Sequence, residues 1–406
     1  MVANAVARAF KDKNVFERND GKGKAQLKES NVDNNEDSII NVTSGSWTSS
    51  GCLETSAVDS FTYRKDNNDQ LATPMSVAEM GTPMSVDKSA LEIEQVQKSM
   101  TIKTDRDRCF EVAEYQKDIL KYLKVVEVQK NIRPRPDYMK KQPDINDSMR
   151  MILVDWLVEV SEEYRLHTET LHLAVHYIDR FLSYMSVVRA KLQLVGTTAM
   201  FIASKYEEIY PPEIGEFVYI TDDTYTKQQV LRMEKLLLKV LSFDLNSPTA
   251  FCFINLFGTA MNIPEKIKFM AQYLCELSML RAIPFLSYTP SMLSSAALAL
   301  SYYTHGNSIW NNKMQKTFGY ELEDLKDVIV QLNELHNEAD SLPQQAIQEK
   351  YKANKYMQTS CVGPKKITRE EIDEILGKLN EGDDLNTTAE TIENVRQKTE
   401  MLFNIE

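Results

Sequence analysis

Two histidines one helical turn apart, in the segment "HLAVH", have a spacing that zinc-binding helices use. The metalloprotease pattern requires a glutamate directly after the first histidine, but Leu173 follows His172, and no third ligand accompanies His176. The alternative is an ordinary pair of core histidines, and the missing third ligand favours it. We therefore predict neither a metal nor any other cofactor.

Other groups that could do acid–base or phosphate chemistry are also isolated. The carboxylates Asp155, Glu159 and Asp179 are scattered along predicted helices, where salt bridges explain them better than an acid/base pair does. The chain contains no G-x-S-x-G, P-loop or G-x-G-x-x-G sequence. We therefore predict no catalytic residues and a function that depends on binding.

Lys205 stands near the end of a long uncharged stretch, after "LQLVGTTAMFIA". A buried charge is costly unless it is paired, so we expect this lysine to be exposed, neutralised or used by another molecule. On a neighbouring predicted helix, Glu234 could pair with it, or the two could line a surface that holds the backbone ends of a partner. Apolar residues share the helix faces of these two charges: Ile202, Tyr206 and Leu238.

The segment "SMRMILVDWLVEV" has more apolar residues than one buried face requires. One stripe at helical spacing consists of Met149, Ile152, Leu153, Trp156 and Val160. The rest of the helix surface is also apolar, with Met151, Val154, Leu157 and Val158. A helix packed on a bundle needs only about three or four apolar residues in two turns. This helix is therefore either wholly enclosed, which is favoured, or shows an apolar face to a partner.

These residues must be positioned by helices, because apolar residues recur at helical spacing and no alternating strand pattern competes. Asp147 or Ser148 is predicted to cap the first helix, and Pro211 and Pro212 to end the third. The first set of predicted helices covers about 148–163, 169–184, 190–208, 213–219 and 226–241. A second set covers about 249–259, 265–279, 290–304, 309–317 and 321–336.

The two sets resemble each other, which predicts a duplicated all-α domain. "LQLVGTTAMFIASKY" aligns with "PSMLSSAALALSYYT", and both place small residues in the middle of the third helix. Small residues let neighbouring helices approach closely, as the central helix of a bundle requires. The small residues are Gly196, Thr197, Thr198 and Ala199 in the first copy, and Ser294, Ser295, Ala296 and Ala297 in the second.

Composition restricts the possible partners, the cellular compartment and the folded part of the chain. The net charge of -12 argues against nucleic acid as the main partner. The five cysteines form no C-x-x-C pair, and neither a signal peptide nor a membrane span is visible, so we expect a soluble intracellular protein. Residues 1–104 lack periodicity and are predicted to be a disordered regulatory tail. The phrase "TPMSV" occurs there twice, which makes Thr73 and Thr82 candidate sites for proline-directed kinases unless the duplication has no consequence.

Several segments in fixed order resemble the cyclin box, specifically that of A-type mitotic cyclins. They include "MRMILVDWLVEV", "LHLAVHYIDRFLS", "SKYEEIYPPE" and "LRMEKLLLKVLSFDL". The resemblance is nearly continuous from about Tyr138 to Leu245 and weakens towards Tyr356. It implies an all-α protein of two tandem five-helix cyclin folds, at 148–247 and 248–356. A helix at about 110–126 and a connector make up 110–147, and an acidic extension follows at 357–406.

The resemblance also implies a role. It is that of a non-catalytic subunit that activates a cyclin-dependent kinase of the 1 or 2 type and recruits substrates and inhibitors with RxL motifs. Such a subunit acts in S phase and at the G2/M transition, in the nucleus with a cytoplasmic pool. The implied kinase-binding positions are Ile119, Ile202, Lys205, Tyr206, Glu234, Leu238, Phe243 and Leu245. The implied docking positions are Met149, Ile152, Leu153, Trp156, Glu159, Leu192 and Gln193. Arg150 and Asp179 match a structural salt bridge between the first two helices.

The chain departs from the family pattern in three places. Met151 stands where the family commonly has alanine, residues 1–108 contain no R-x-x-L or K-E-N degradation signal, and the extension beyond Tyr356 has no recognised counterpart. Ubiquitin-ligase machinery is expected as a partner from the family alone. Paired cyclin folds also occur in transcription factors of the TFIIB kind, but those need a basic face and usually a zinc ribbon, which this acidic chain lacks.

Overall fold

The computed structural model of the protein describes residues 114–378. Within that range the regular structure is helical, with no β-strand, and no helix is long and apolar enough to cross a membrane. The all-α prediction is confirmed. The predicted tail at 1–104, the candidate sites Thr73 and Thr82, and the part of the extension beyond residue 378 lie outside the described residues.

The first five-helix unit follows an N-terminal helix, α1, at Gln116–Glu127. Helix α1 begins later than the predicted residue 110, since residues 114 and 115 form a turn. The cap of the first helix in the unit is also different from the prediction, because Asn146 accepts a hydrogen bond from the backbone N–H of Met149. The unit consists of α2 (Asp147–Glu163), α3 (Thr168–Tyr184), α4 (Arg189–Glu207), α5 (Ile214–Ile220) and α6 (Lys227–Val240).

The second unit repeats this order and is followed by two more helices. Its members are α7 (Ala250–Met261), α8 (Glu265–Met279), α9 (Pro290–Thr304), α10 (Asn312–Phe318) and α11 (Leu322–Glu338). Helix α12 (Ala346–Lys352) then packs against α2 of the first unit, and α13 covers residues 369–378. Both hydrophobic cores belong to one continuous cluster of buried side chains.

The third helix of each unit is its centre, as the small residues predicted. Helix α4 contacts α2, α3, α5 and α6, and α9 contacts α7, α8 and α11. A Cβ atom built on Gly196 would lie 2.6 Å from a methyl carbon of Leu153 on α2. Real Cβ atoms do not approach so closely, so the absence of a side chain at Gly196 is what lets α2 and α4 meet.

A buried ion pair joins the two units. The guanidinium of Arg150 on α2 donates two hydrogen bonds of 2.7 Å to the carboxylate of Asp179 on α3. Its Nη1 atom donates to the backbone carbonyl of Met279, at the end of α8, at 2.7 Å. The hydroxyl of Tyr138, in the connector after α1, donates to the same Asp179 carboxylate. The predicted pair is present, and it also holds the connector and the second unit.

Part of the C-terminal extension is folded onto the second unit. Asn333 on α11 donates to the carbonyl of Lys365 and accepts from the backbone N–H of Ile367. Ile367 and Ile372 are buried, and Lys326 on α11 pairs with Asp373 of α13. Residues 365–378 therefore lie against α11, which the acidic composition of the extension did not predict.

Replacing Gly196 with alanine is expected to destabilise the protein by about 1–3 kcal/mol, because the new methyl group forces Leu153 out of its position. Gly258 provides a matched control, since it is also buried in a helix, but its added Cβ would meet only Lys268 at an ordinary 3.6 Å. Gly258→Ala should be neutral or stabilising. Urea unfolding of both variants measures the difference, and equal effects would contradict the close helix approach.

Candidate functional site

The charged pair predicted from the sequence is formed at the end of α4. The ammonium group of Lys205 donates to the Oε1 atom of Glu234 on α6 and lies 4.3 Å from the centre of the Phe201 ring. Lys205 is exposed, whereas the side chain of Glu234 is largely covered. The lysine is therefore satisfied within the chain, yet it remains accessible to a second molecule.

The apolar residues predicted around this pair differ in accessibility. Tyr206 and Phe243 are exposed, the latter by 71%. Leu238, Leu245 and Ile119 are half-buried. Ile202 is only 2% exposed and belongs to the core, and its part in kinase binding stays a prediction. Helical spacing placed Ile202 near Lys205 but could not show that its side chain is on the inner side of α4.

Phe243 projects from a loop that the first unit holds firmly. Ser242 and Phe243 both adopt the left-handed backbone conformation, with φ of 55° and 57°, which is unfavourable for a residue with a side chain. The buried guanidinium of Arg180 on α3 donates to the carbonyl of Asp244 at 2.7 Å and to that of Asn131 at 3.0 Å. The hydroxyl of Tyr177 donates to the carbonyl of Leu245 at 2.9 Å. These bonds fix the loop and with it the exposed phenyl ring.

Further exposed apolar residues adjoin the pair along the chain and were not predicted. Ile209 and Tyr210, directly after α4, are 87% and 92% exposed. Large apolar side chains exposed to this degree are unusual at a surface without a partner. The signal was present in the sequence, because "IYPP" places two apolar residues where prolines prevent them from continuing a helix.

Helix α1 carries exposed apolar residues of its own, Tyr122 and Val125, and is anchored to the second unit. The carboxylate of Glu127 accepts hydrogen bonds from the backbone N–H of Ser291, at 2.9 Å, and from its hydroxyl, at 2.5 Å. Burial raises the pKa of Glu127, and the bonds to Ser291 oppose that rise. Lys124 donates to the carbonyl of Phe318. The inner side of α1 is thus attached at both ends of its last turn.

The predicted docking positions on α2 are mostly closed. Leu153 and Trp156 are 0% and 1% exposed, and Ile152, Leu192 and Gln193 are also buried. Only Met149 and Glu159 keep partial exposure. The enclosed interpretation of this helix is therefore confirmed for most of its surface, since α12 packs against it and the backbone N–H of Ala346 donates to Asp155. That Leu153 and Trp156 belong to a docking surface stays a prediction, and both side chains are covered in this structure.

Of the two histidines of "HLAVH" on α3, His172 is buried and His176 is partly buried. Burial lowers the pKa of His172 to about 3 and that of His176 to about 4, so both imidazoles are neutral near pH 7. Among residues 114–378 no group of three or more His, Cys, Asp or Glu side chains could hold a metal ion. They remain two neutral imidazoles at the boundary of the two units.

Comparisons with protein families agree with this architecture. The family model described as the cyclin N-terminal domain matches residues 118–246, and that described as the cyclin C-terminal domain matches residues 248–365. Together they cover more than half of the chain. The chain belongs to the cyclin family.

Within that family its similarity is to A-type cyclins. It is 47% identical over 325 residues to G2/mitotic-specific cyclin-A of Drosophila melanogaster, covering 76% of this chain and 66% of that protein. It is 54% identical over 255 residues to human cyclin-A2, covering 63% of this chain and 59% of that protein. The X-ray structure of a viral cyclin from herpesvirus saimiri aligns with 53% of this chain and 96% of its own, at 20% identity and a TM-score of 0.49. The chain thus spans less than two thirds of the length of these A-type relatives.

The buried histidines predict how stability depends on pH. His172, His176 and His336 have pKa values of about 3, 4 and 4 in the folded state, all lowered mainly by burial. Below about pH 6.5 the unfolded chain takes up protons that the folded chain does not, so the free energy of unfolding should fall as the pH decreases from 6.5 to 4. The slope is about 1.4 kcal/mol per pH unit for each such histidine.

Urea unfolding at pH 7, 6 and 5 tests this dependence. His336→Phe should reduce the slope by the contribution of one histidine. Because burial raises the pKa of Glu127, that group acts in the opposite direction, and the difference between wild type and variant isolates the histidine. Identical slopes for the two proteins would contradict the assignment.

Proposed function

We propose that this chain is a non-catalytic regulatory subunit that binds and activates a cyclin-dependent Ser/Thr kinase and controls S phase and the G2/M transition. The observation that carries the proposal is the pair of Lys205 and Glu234 at the exposed end of α4. Exposed apolar side chains near the pair along the chain support it, since Tyr206 and Ile209 follow Lys205 and Phe243 follows the end of α6. A-type cyclin relatives add family support for the same role.

Activation follows from selective binding. A protein kinase is active when the lysine of strand β3 pairs with the glutamate of helix αC and the activation loop is ordered. A rigid partner that binds only this arrangement shifts the equilibrium by its difference in affinity for the two states. A shift from mostly inactive to mostly active requires about 5 kcal/mol. An apolar surface with a central charged pair can supply this, since the buried area of a typical interface is large.

The charged pair suits recognition of a partner's backbone. In the free protein Glu234 neutralises Lys205, so neither charge lacks a partner before binding. In the complex the lysine donates to carbonyl groups of the kinase, and the glutamate accepts from N–H groups. The exchange replaces one satisfied arrangement with another, which avoids leaving a charge unpaired in the interface.

We also propose that RxL-containing substrates and inhibitors dock beside α2, at Met149 and Glu159. These are the two docking positions that remain partly exposed. A carboxylate about 15 Å along the helix from a methionine is complementary to an extended motif that combines a cationic and an apolar side chain. Entry of a leucine beyond them requires Ile152 or Leu192 to move, since both are buried. The proposal extends to residence in the nucleus with a cytoplasmic pool and to turnover by ubiquitin ligases, for which family membership is the support.

Replacing Lys205 and Glu234 together with alanine is expected to weaken binding of a cyclin-dependent kinase by at least tenfold, because the central polar contacts are lost. The fold should be little affected, since exposed ion pairs contribute about 0–1 kcal/mol to stability. Binding is measured by calorimetry and activation by phosphorylation of a short peptide.

Arg369 and Asp327 form a matched control, an exposed ion pair on the second unit with an N–O distance of 3.0 Å. Their double alanine variant should bind the kinase like wild type. If the variant of Lys205 and Glu234 also activates the kinase normally, the proposed interface is refuted.

Met149→Ala combined with Glu159→Gln is expected to raise the KM for an RxL-bearing protein substrate several-fold, while the kinetics with a short peptide stay unchanged. The reason is that docking contributes to substrate binding and not to the chemical step. Met151→Ala is the control, because Met151 is also half-buried but lies on the side of α2 opposite Met149. An equal loss on peptide and protein substrates would show that α2 serves the fold alone.

A further inference from the structure

A cavity of about 120 Å³ lies where the connector after α1 and the two helical units meet. Its walls come from α2 and α3 on one side, from α8 and α9 on the other, and from residues 132–134 of the connector. Most of the lining is apolar, including Val175, Phe285 and Leu293. It is distinct from the surface around Lys205, none of whose residues line it.

The charged groups at the edge of the cavity already have partners. Arg150 is paired with Asp179, and Arg281 with Glu338. Glu127 accepts hydrogen bonds from Ser291. The donors of Arg133, the remaining charged group of the lining, are directed to the carbonyls of Leu286, Ser287 and Tyr288. These groups therefore favour a neutral ligand, because a charged molecule would lose its hydration on entering a mostly apolar space.

Two polar atoms of lining residues, unlike these charged groups, have no hydrogen-bond partner within residues 114–378. His172 and His176 both line the cavity, and the Nε2 atom of each is buried with no hydrogen-bond partner among the described residues. His172 is more than nine-tenths buried. Buried polar atoms without a partner are rare and call for an explanation. Both residues line the same cavity one helical turn apart, so a single occupant of that cavity, solvent or ligand, can supply the missing partners.

The state of the imidazoles selects the chemistry of that ligand. Both are neutral near pH 7, since burial lowers their pKa values to about 3 and 4. His176 also interacts with the backbone carbonyl of Ile132, and because its Nε2 atom has no partner, the proton is on Nδ1. The Nε2 atom is then a bare acceptor, which requires an O–H or N–H donor on the ligand.

The size of the cavity limits the ligand to one ring. An apolar cavity of about 150 Å³ in another protein admits benzene, so a space of this volume admits a single five- or six-membered ring. We propose that the cavity is a binding site for a compact neutral ligand of one ring with a hydrogen-bond donor, of the phenol class, whose hydroxyl donates to the Nε2 atom of His176 while its ring lies beside His172. The site joins both units and the connector, and its occupant contacts all three.

Phenol is the probe that tests the site on the full chain. It should raise the melting temperature with saturation, and it should shift the side-chain nitrogen resonances of His172 and His176. Benzene has the same ring without a donor and should bind at least tenfold more weakly. Benzoate carries a charge and should give no saturable effect.

Two variants and one control make the test specific. His176→Phe removes the acceptor but keeps a ring of similar size, and it should weaken phenol binding at least tenfold. Leu293→Phe fills the cavity from a half-buried position and should abolish saturation, so it serves if the first variant does not fold. His336→Phe replaces another buried histidine, outside the cavity, and should leave phenol affinity unchanged.

Three results would overturn the proposal. One is the lack of any saturable effect of phenol at millimolar concentrations, which would mean that solvent alone occupies the cavity. The others are equal phenol affinity in wild type and His176→Phe, and retention of saturable binding by Leu293→Phe. Binding of benzene as tight as that of phenol would equally refute the role of the imidazoles.

Discussion

The buried pair of Arg150 and Asp179 is the interaction on which the rest of the structure depends. The guanidinium has donors in several directions, so one side chain satisfies the carboxylate on α3 and the carbonyl at the end of α8. Burial would lower the pKa of Arg150, but the attraction to Asp179 raises it overall. Loss of either partner would leave an uncompensated charge in the interior, which costs about 3–5 kcal/mol. The relative position of the two units is thereby specified, and the cavity beside the pair is a consequence of it.

The surface around Lys205 depends on the same interior in a less direct way. Its residues come from the ends of α4 and α6 and from the loop after α6, and none of these elements would be fixed in isolation. Arg180 determines the loop by binding backbone carbonyls of Asp244 and Asn131, and so ties the exposed phenyl ring of Phe243 to α3. A partner therefore meets a surface whose shape is set before binding, which reduces the entropy lost in the complex.

Much of this organisation could be predicted from the sequence, because it follows from local patterns. Helical spacing located the helices, small residues identified α4 and α9 as the central ones, and the order of charges suggested the pair of Lys205 and Glu234. The sequence could not show which way a side chain faces on its helix or which segments far apart in the chain come together. Spacing alone did not show that Ile202 faces the core, or that α12 would return to pack against the side of α2 that holds Asp155. Arg180 donates to carbonyls 64 and 49 residues away in sequence. Because every residue has a backbone carbonyl, the sequence does not show which of them will accept these bonds.

Helix α1 is synthesised before both helical units but can be attached only after α9 has been made. Glu127 binds Ser291, which lies 164 residues later in the chain. At about 5–20 residues per second, a ribosome needs roughly 8–33 s to make the segment between them. During that time the first unit can fold around α4, while α1 has no surface to receive its inner side. Its amphipathic face must remain solvated or be held by a chaperone until α9 emerges. The helix that leaves the ribosome before either unit is therefore among the last to be placed.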